Sequence, residues 1–141
     1  MSLNGKWYNE LGSEMDLTVE QGLVTGTYHT AVGDAKGEYP LAGRADITND
    51  TTPNIGFVVS WENQYANAES VTAWSGQYQI VNKDDDEEEV ITTFWLLTME
   101  TNPKLNWRST LVGQDTFKRT RPTDEQINAK LGIGPASHPL K

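Results

Sequence analysis

The 141-residue chain has no cysteine, which excludes a disulfide scaffold, a thiolate nucleophile and any Cys-ligated zinc or iron–sulfur centre. It has two histidines, His29 and His138, too few for a His-rich metal site and for most catalytic triads. Basic residues are also scarce. Eleven Lys and Arg face 20 Asp and Glu, for a net charge of −9, the reverse of what a phosphate backbone demands; no nucleic-acid partner is expected. No apolar run approaches the ~20 residues of a membrane-spanning helix, so no membrane partner is expected either. The opening Met1-Ser2-Leu3-Asn4-Gly5 lacks the basic and apolar regions of a secretory signal. The chain is therefore expected to be soluble, and either intracellular or secreted with a signal removed. What it does have is five tryptophans and five tyrosines, an aromatic load that needs a purpose.

From residue 5 to 118 short alternating segments are broken by turn residues, the signature of an all-β chain. Eight strands are expected, at about 5–11, 14–20, 23–30, 38–47, 54–62, 71–80, 90–99 and 105–118. The breaks carry turn chemistry, as in Leu11-Gly12-Ser13, Glu20-Gln21-Gly22 and Thr101-Asn102-Pro103. Short connections make successive strands antiparallel neighbours, and eight such strands most simply close into an up-and-down barrel with no free edges. An immunoglobulin-like sandwich is the rival, without the Cys…Trp…Cys spacing of true immunoglobulin domains. After Pro122, Thr123-Asp124-Glu125-Gln126 fits a capping box with Thr123 as N-cap. The expected organisation is a barrel over 1–121, followed over 122–141 by a helix of about eight residues stopping at Gly132 and a loose tail.

Residues two apart share one face of a strand. This groups Phe57, Val59 and Trp61; Ser70, Thr72, Trp74, Gly76 and Tyr78; Thr93, Trp95 and Leu97; Trp7, Asn9 and Leu11; Tyr28 and Thr30; and Trp107, Leu111 and Asp115. Tryptophans thus share the expected interior with Asn, Ser, Thr and Asp. Burying an unpaired polar group costs roughly 1–3 kcal/mol. Each such group alone is best read as a satisfied core or turn residue, but the set resembles a lined pocket for a compact ligand with polar and apolar parts. On the opposite faces Val58, Val71, Ala73 and the second parity of 91–97 are apolar, which points to coverage by another subunit. The run Lys83-Asp84-Asp85-Asp86-Glu87-Glu88-Glu89 is expected as a solvated hairpin tip, with calcium capture the remote alternative.

At these residues the chain resembles the avidin/streptavidin family of biotin-binding proteins. The matching strings are Gly5-Lys6-Trp7-Tyr8-Asn9-Glu10-Leu11-Gly12-Ser13, Thr25-Gly26-Thr27-Tyr28, Ala31-Val32-Gly33, Val59-Ser60-Trp61-Glu62-Asn63, Thr72-Ala73-Trp74-Ser75-Gly76-Gln77-Tyr78, Trp95-Leu96-Leu97-Thr98 and 107–117. They occur in order over about residues 5–118, and the segment after Pro122 is most similar to the fungal members called tamavidins. The resemblance implies a non-catalytic protein that sequesters biotin as a ligand, with no cofactor and no metal. Asn9, Ser13 and Tyr28 would donate to the ureido oxygen. Asp115, ionised, and Thr30 would accept from the two ureido N–H groups. Thr72 would face the ring sulfur; Trp61, Trp74, Trp95 and Leu97 would wall the ring and its chain. Ser70 and the backbone N–H of Asp34 would meet the carboxylate, under a lid that begins at Val32. Trp107 would cross into the neighbouring barrel of a homotetramer, a dimer of dimers. Departures are Asp34 for the usual Asn, Phe57 for a Trp, and Ala66 for an Arg. No catalysis is expected: neither histidine falls on the pocket face and Asp115 has no evident acidic partner. A lipocalin-like carrier of another hydrophobic ligand is the alternative.

Overall fold

The computed structural model describes residues 2–31, 37–62 and 69–132. Eight antiparallel strands close into one barrel in the order β1-β2-β3-β4-β5-β6-β7-β8. They are β1 (Gly5–Tyr8), β2 (Glu14–Glu20), β3 (Leu23–His29), β4 (Glu38–Ala45), β5 (Asn54–Ser60), β6 (Ser70–Lys83), β7 (Asp86–Met99) and β8 (Thr110–Lys118). The helix α1 (Asp124–Leu131) follows. Its capping box is complete: Gln126 N donates to Thr123 Oγ1 at 3.2 Å and Thr123 N donates to Gln126 Oε1 at 2.9 Å.

The expected strands are all present, with three boundary corrections. β1 stops at Tyr8 because Gly12, at φ +85°, turns the chain back; Gly12 N donates to Asn9 O at 3.1 Å. β8 starts later than expected. Residues Pro103–Arg108 form a 3-10 helix with Asn102 as its cap and Pro103 at its start, where the missing N–H of proline costs nothing. The third correction concerns the acidic run. The hairpin turns on Asp84 and Asp85 alone, both at positive φ (51° and 68°), as a two-residue turn of the primed type requires, and Asp86 to Glu89 lie in β7. Two of these acids are paired, Glu88 with Lys118 at 3.1 Å and Glu89 with Arg119 at 3.3 Å. Among the described residues no cluster of His, Asp or Glu could hold a metal ion, and no helix is long and apolar enough to cross a membrane.

Closure forces one parity of every strand inward. The core contains Trp7, Tyr28, Phe57, Trp61, Trp74, Tyr78 and Phe117, all nearly inaccessible. Rings interlock: Phe57 stacks on Trp74 at 4.9 Å between centroids, Tyr28 on Trp74 at 5.1 Å, and Trp61 meets Tyr28 edge-on at 5.5 Å. Strand crossings are tight. A Cβ on Gly43 would run into the carbonyl of Gly56, and one on Gly76 into that of Thr92, so neighbouring strands approach there only because no side chain intervenes.

The seam between β1 and β8 is short, with Tyr8↔Lys118 as its one registered pair. A side chain makes up the deficit. The Arg119 guanidinium donates to the carbonyls of Ser2, Asn4 and Lys6 at 2.7, 2.9 and 3.3 Å, and lies 3.8 Å over the Trp7 ring. Replacing Arg119 with Ala removes this clamp. The expected outcome is a loss of about 2–3 kcal/mol in denaturant unfolding, with faster amide exchange in β1 than in β6 or β7.

Candidate ligand site

Asn9 follows β1 at the head of the turn. Its side-chain oxygen accepts from Leu11 N at 3.0 Å and Ser13 N at 2.9 Å, so it is a turn cap. That role also fixes its other end. With Oδ1 held, Nδ2 points inward and reaches the Tyr28 hydroxyl at 3.4 Å. Ser13 is arranged alike: its oxygen accepts from Ala31 N at 3.1 Å, leaving its hydrogen for the Tyr28 oxygen. Burial first, then the charge of Asp115, keeps the Tyr28 hydroxyl well above its ordinary pKa, hence a donor. Asn9 and Ser13, from the turn between β1 and β2, therefore meet at the buried Tyr28 hydroxyl of β3, itself a third donor.

Asp115 enters from β8, fully buried. Its Oδ2 accepts from Trp74 Nε1 at 2.9 Å, and its backbone carbonyl accepts from the Thr93 hydroxyl at 2.9 Å. Its Oδ1 receives no hydrogen bond among the described residues, and neither does the buried N–H of Trp95 find an acceptor there. Thr72 on β6 accepts from Trp61 Nε1 at 2.7 Å, which leaves the Thr72 hydrogen to donate. Thr30 and Leu97 are buried, Ser70 is half-buried at the start of β6, and Trp61, Trp74 and Trp95 line the interior. The barrel thus carries unspent donors and one unspent carboxylate oxygen among indoles.

Two expectations are corrected. Trp107 does not face the interior with Leu111 and Asp115. It sits on the 3-10 helix, 79% exposed, because strand parity ends where the helical turn begins. Asp115 has an acidic neighbour after all: Glu10, whose charge acts on it. Burial, then the charge of Glu10, holds the Asp115 carboxyl well above the ordinary carboxylate range, with the Trp74 N–H opposing. Glu10 was missed because period 2 was carried through the turn at Gly12, which assigned it outward. The positive-φ glycine three residues after Asn9 was the available signal. Val32, Asp34 and Ala66 lie outside the described residues, as does His138, while His29 is exposed.

Residues 1–120 match the Avidin family. The chain belongs to the avidin family. It is similar to avidin of Gallus gallus, 39% identical over 131 residues, covering 88% of this chain and 82% of the relative. It is 37% identical over 129 residues to avidin-related protein 4/5 of the same species, covering 88% and 81%. Afifavidin of Afifella pfennigii is 33% identical over 124 residues, covering 82% of this chain and 68% of the relative. The resemblance in the ordered strings is thus one of family, and the avidin barrel is the frame that carries the interior just described.

In this avidin-family barrel the folded state binds the Asp115 proton more tightly than the unfolded chain does. The stabilisation is complete below the ordinary aspartate pKa of about 3.9 and is lost as pH rises toward the raised folded-state value. Asp115→Asn should therefore raise the ligand-free melting temperature at pH 8. The gain should shrink as pH is lowered toward 4, which thermal melts across that range check.

Proposed function

We propose that the protein binds biotin tightly and without catalysis, one molecule per chain. The observation that carries this reading is the Asp115 oxygen left without a donor inside the barrel, beside the inward donors of Asn9, Ser13 and Tyr28. A cyclic urea complements that set: its carbonyl oxygen takes three donors, as in an oxyanion hole, and its N–H groups need Asp115 and Thr30. The Thr72 hydroxyl would meet the ring sulfur. Trp61, Trp74, Trp95 and Leu97 would enclose the bicycle and its chain, and Ser70 with the lid over Val32 and Asp34 would receive the carboxylate. Asn9, Ser13, Thr72 and Asp115 are each fixed by a second bond before a ligand arrives, so little ordering entropy is lost on binding.

A homotetramer, a dimer of dimers, is proposed on the outer face. Phe94, Leu96 and Val112 on β7 and β8 and Val58 and Val71 on β5 and β6 are exposed, an apolar surface of the kind that monomers avoid. Trp107, exposed beside it, would complete the ligand wall of a neighbouring barrel.

Isothermal titration should give one biotin per chain with submicromolar or tighter affinity; no heat, or millimolar affinity only, overturns the reading. Asp115→Ala should weaken binding by more than about 2 kcal/mol, because a ligand N–H is then buried without a partner. Trp107→Ala and an interface-broken monomer should share one binding defect, and wild-type affinity in that monomer would remove the cross-barrel wall.

A further inference from the structure

At one end of the barrel β3, β5 and β7 finish while β6 and β8 begin. Thr30 and Ser70 belong to this end, and three acids gather there. Trp61 N donates to Ser70 O at 2.8 Å and Glu100 N donates to Glu69 O at 3.3 Å, while Ser70 is registered with Met99. These bonds bring Glu62, Glu69 and Glu100 together, and all three are exposed. With Ser70 they line one groove that has no basic residue in its lining. Among the described residues none of the three acids is in an ion pair, and the stretch from Trp61 to Ser70 contains no Lys, Arg or His. Their proximity shows in Glu69, which Glu100 first, and Glu62 more weakly, hold above the ordinary glutamate pKa. The bases of the neighbouring 3-10 helix, Lys104 and Arg108, lie outside the groove, Arg108 over the Trp107 ring at 5.5 Å.

We propose that Glu62, Glu69 and Glu100 set the class of ligand the barrel takes: biotin whose chain ends in an amide, as when it is attached to a protein amine, is favoured, and the free acid is resisted. This deepens the biotin reading and rests on it. The acids are not a binding site in themselves. What calls for a ligand is the interior, where the Asp115 Oδ1 and Trp95 Nε1 atoms are buried without partners, and the acids stand at the rim of that interior beside Ser70.

Hydrogen bonding does not separate the two forms. The Ser70 hydroxyl donates to an amide carbonyl as readily as to a carboxylate oxygen, so the amide keeps that bond. Charge does separate them. A ligand carboxylate at Ser70 adds a fourth negative charge to three that no cation offsets, whereas an amide adds none, and an ammonium group beyond the amide is drawn by the same field. Unit charges on the order of 10 Å apart across water change a binding constant about twofold each, and salt screens the effect over about the same distance. The acids at the tip of the β6–β7 hairpin provide a contrast. Glu87 stands 12 residues along β7 from Met99, roughly 40 Å away, too far for its charge to be felt at the rim.

Three probes test this: free biotin, its neutral methyl amide and its cationic aminoethyl amide, each titrated against the full chain at neutral pH in low and high salt. Added salt should tighten free biotin, weaken the cationic amide and leave the methyl amide unchanged. Combining Glu62→Gln, Glu69→Gln and Glu100→Gln should tighten free biotin by about five- to tenfold at low salt, weaken the cationic amide and remove most of the salt dependence of both. A control combining Asp84→Asn, Asp85→Asn and Glu87→Gln changes the net charge equally at the hairpin tip and should leave all three affinities as in wild type. Free biotin indifferent to salt and to the rim substitutions, or an equal shift from the hairpin control, overturns the proposal while the biotin reading stands. If none of the three probes binds, the biotin reading fails and this inference falls with it.

Discussion

One constraint organises this molecule: a carboxyl group, Asp115, stands inside a closed cylinder of apolar rings. Isolated there, it would be costly, so its surroundings are arranged to satisfy it. The Trp74 indole turns its N–H to one oxygen, and the Thr93 hydroxyl ties down the backbone carbonyl of the same residue. Trp74 in turn is held between Phe57 and Tyr28, and Tyr28 receives Asn9. The aromatic packing and the polar set are therefore one network, in which a ring displaced is also a hydrogen bond misdirected.

Several groups serve two ends. The Asn9 oxygen closes a turn while its nitrogen faces the interior. The Ser13 oxygen ties down Ala31 N while its hydrogen faces Tyr28. The Thr72 oxygen holds the Trp61 indole. In each case one atom is spent on the scaffold and the remaining one is thereby aimed. Preorganisation here is the consequence of ordinary folding bonds, and it explains how a chain of this size can present polar groups inward without losing order.

The middle of the barrel was legible from side-chain alternation. Phe57, Val59 and Trp61, then Thr72 and Trp74, then Thr93, Trp95 and Leu97 all point inward as period 2 requires, because those strands are long and one face is sealed from water. The capping box at Thr123 was equally readable, its bonds being local. Alternation failed where strands end. It was extended through the Asn9 turn, which hid Glu10, and through a 3-10 helix, which put Trp107 on the wrong side. The charges of 86–89 were read as a loop signal, although backbone pairing with β6 overrides them once Asp84 and Asp85 accept left-handed conformations. Contacts between residues distant in sequence, such as that of Glu10 with Thr116, leave no periodic trace.

The seam between the first and last strands is the joint where backbone pairing is thinnest. Asn9 and Glu10 sit just past the end of β1, and Asp115 lies on β8. A molecule gripped by Asn9 and Asp115 would straddle that joint from within, while Arg119 bolts it from without. Occupancy would then act as a stitch, and the barrel would resist peeling apart most firmly when it is carrying cargo.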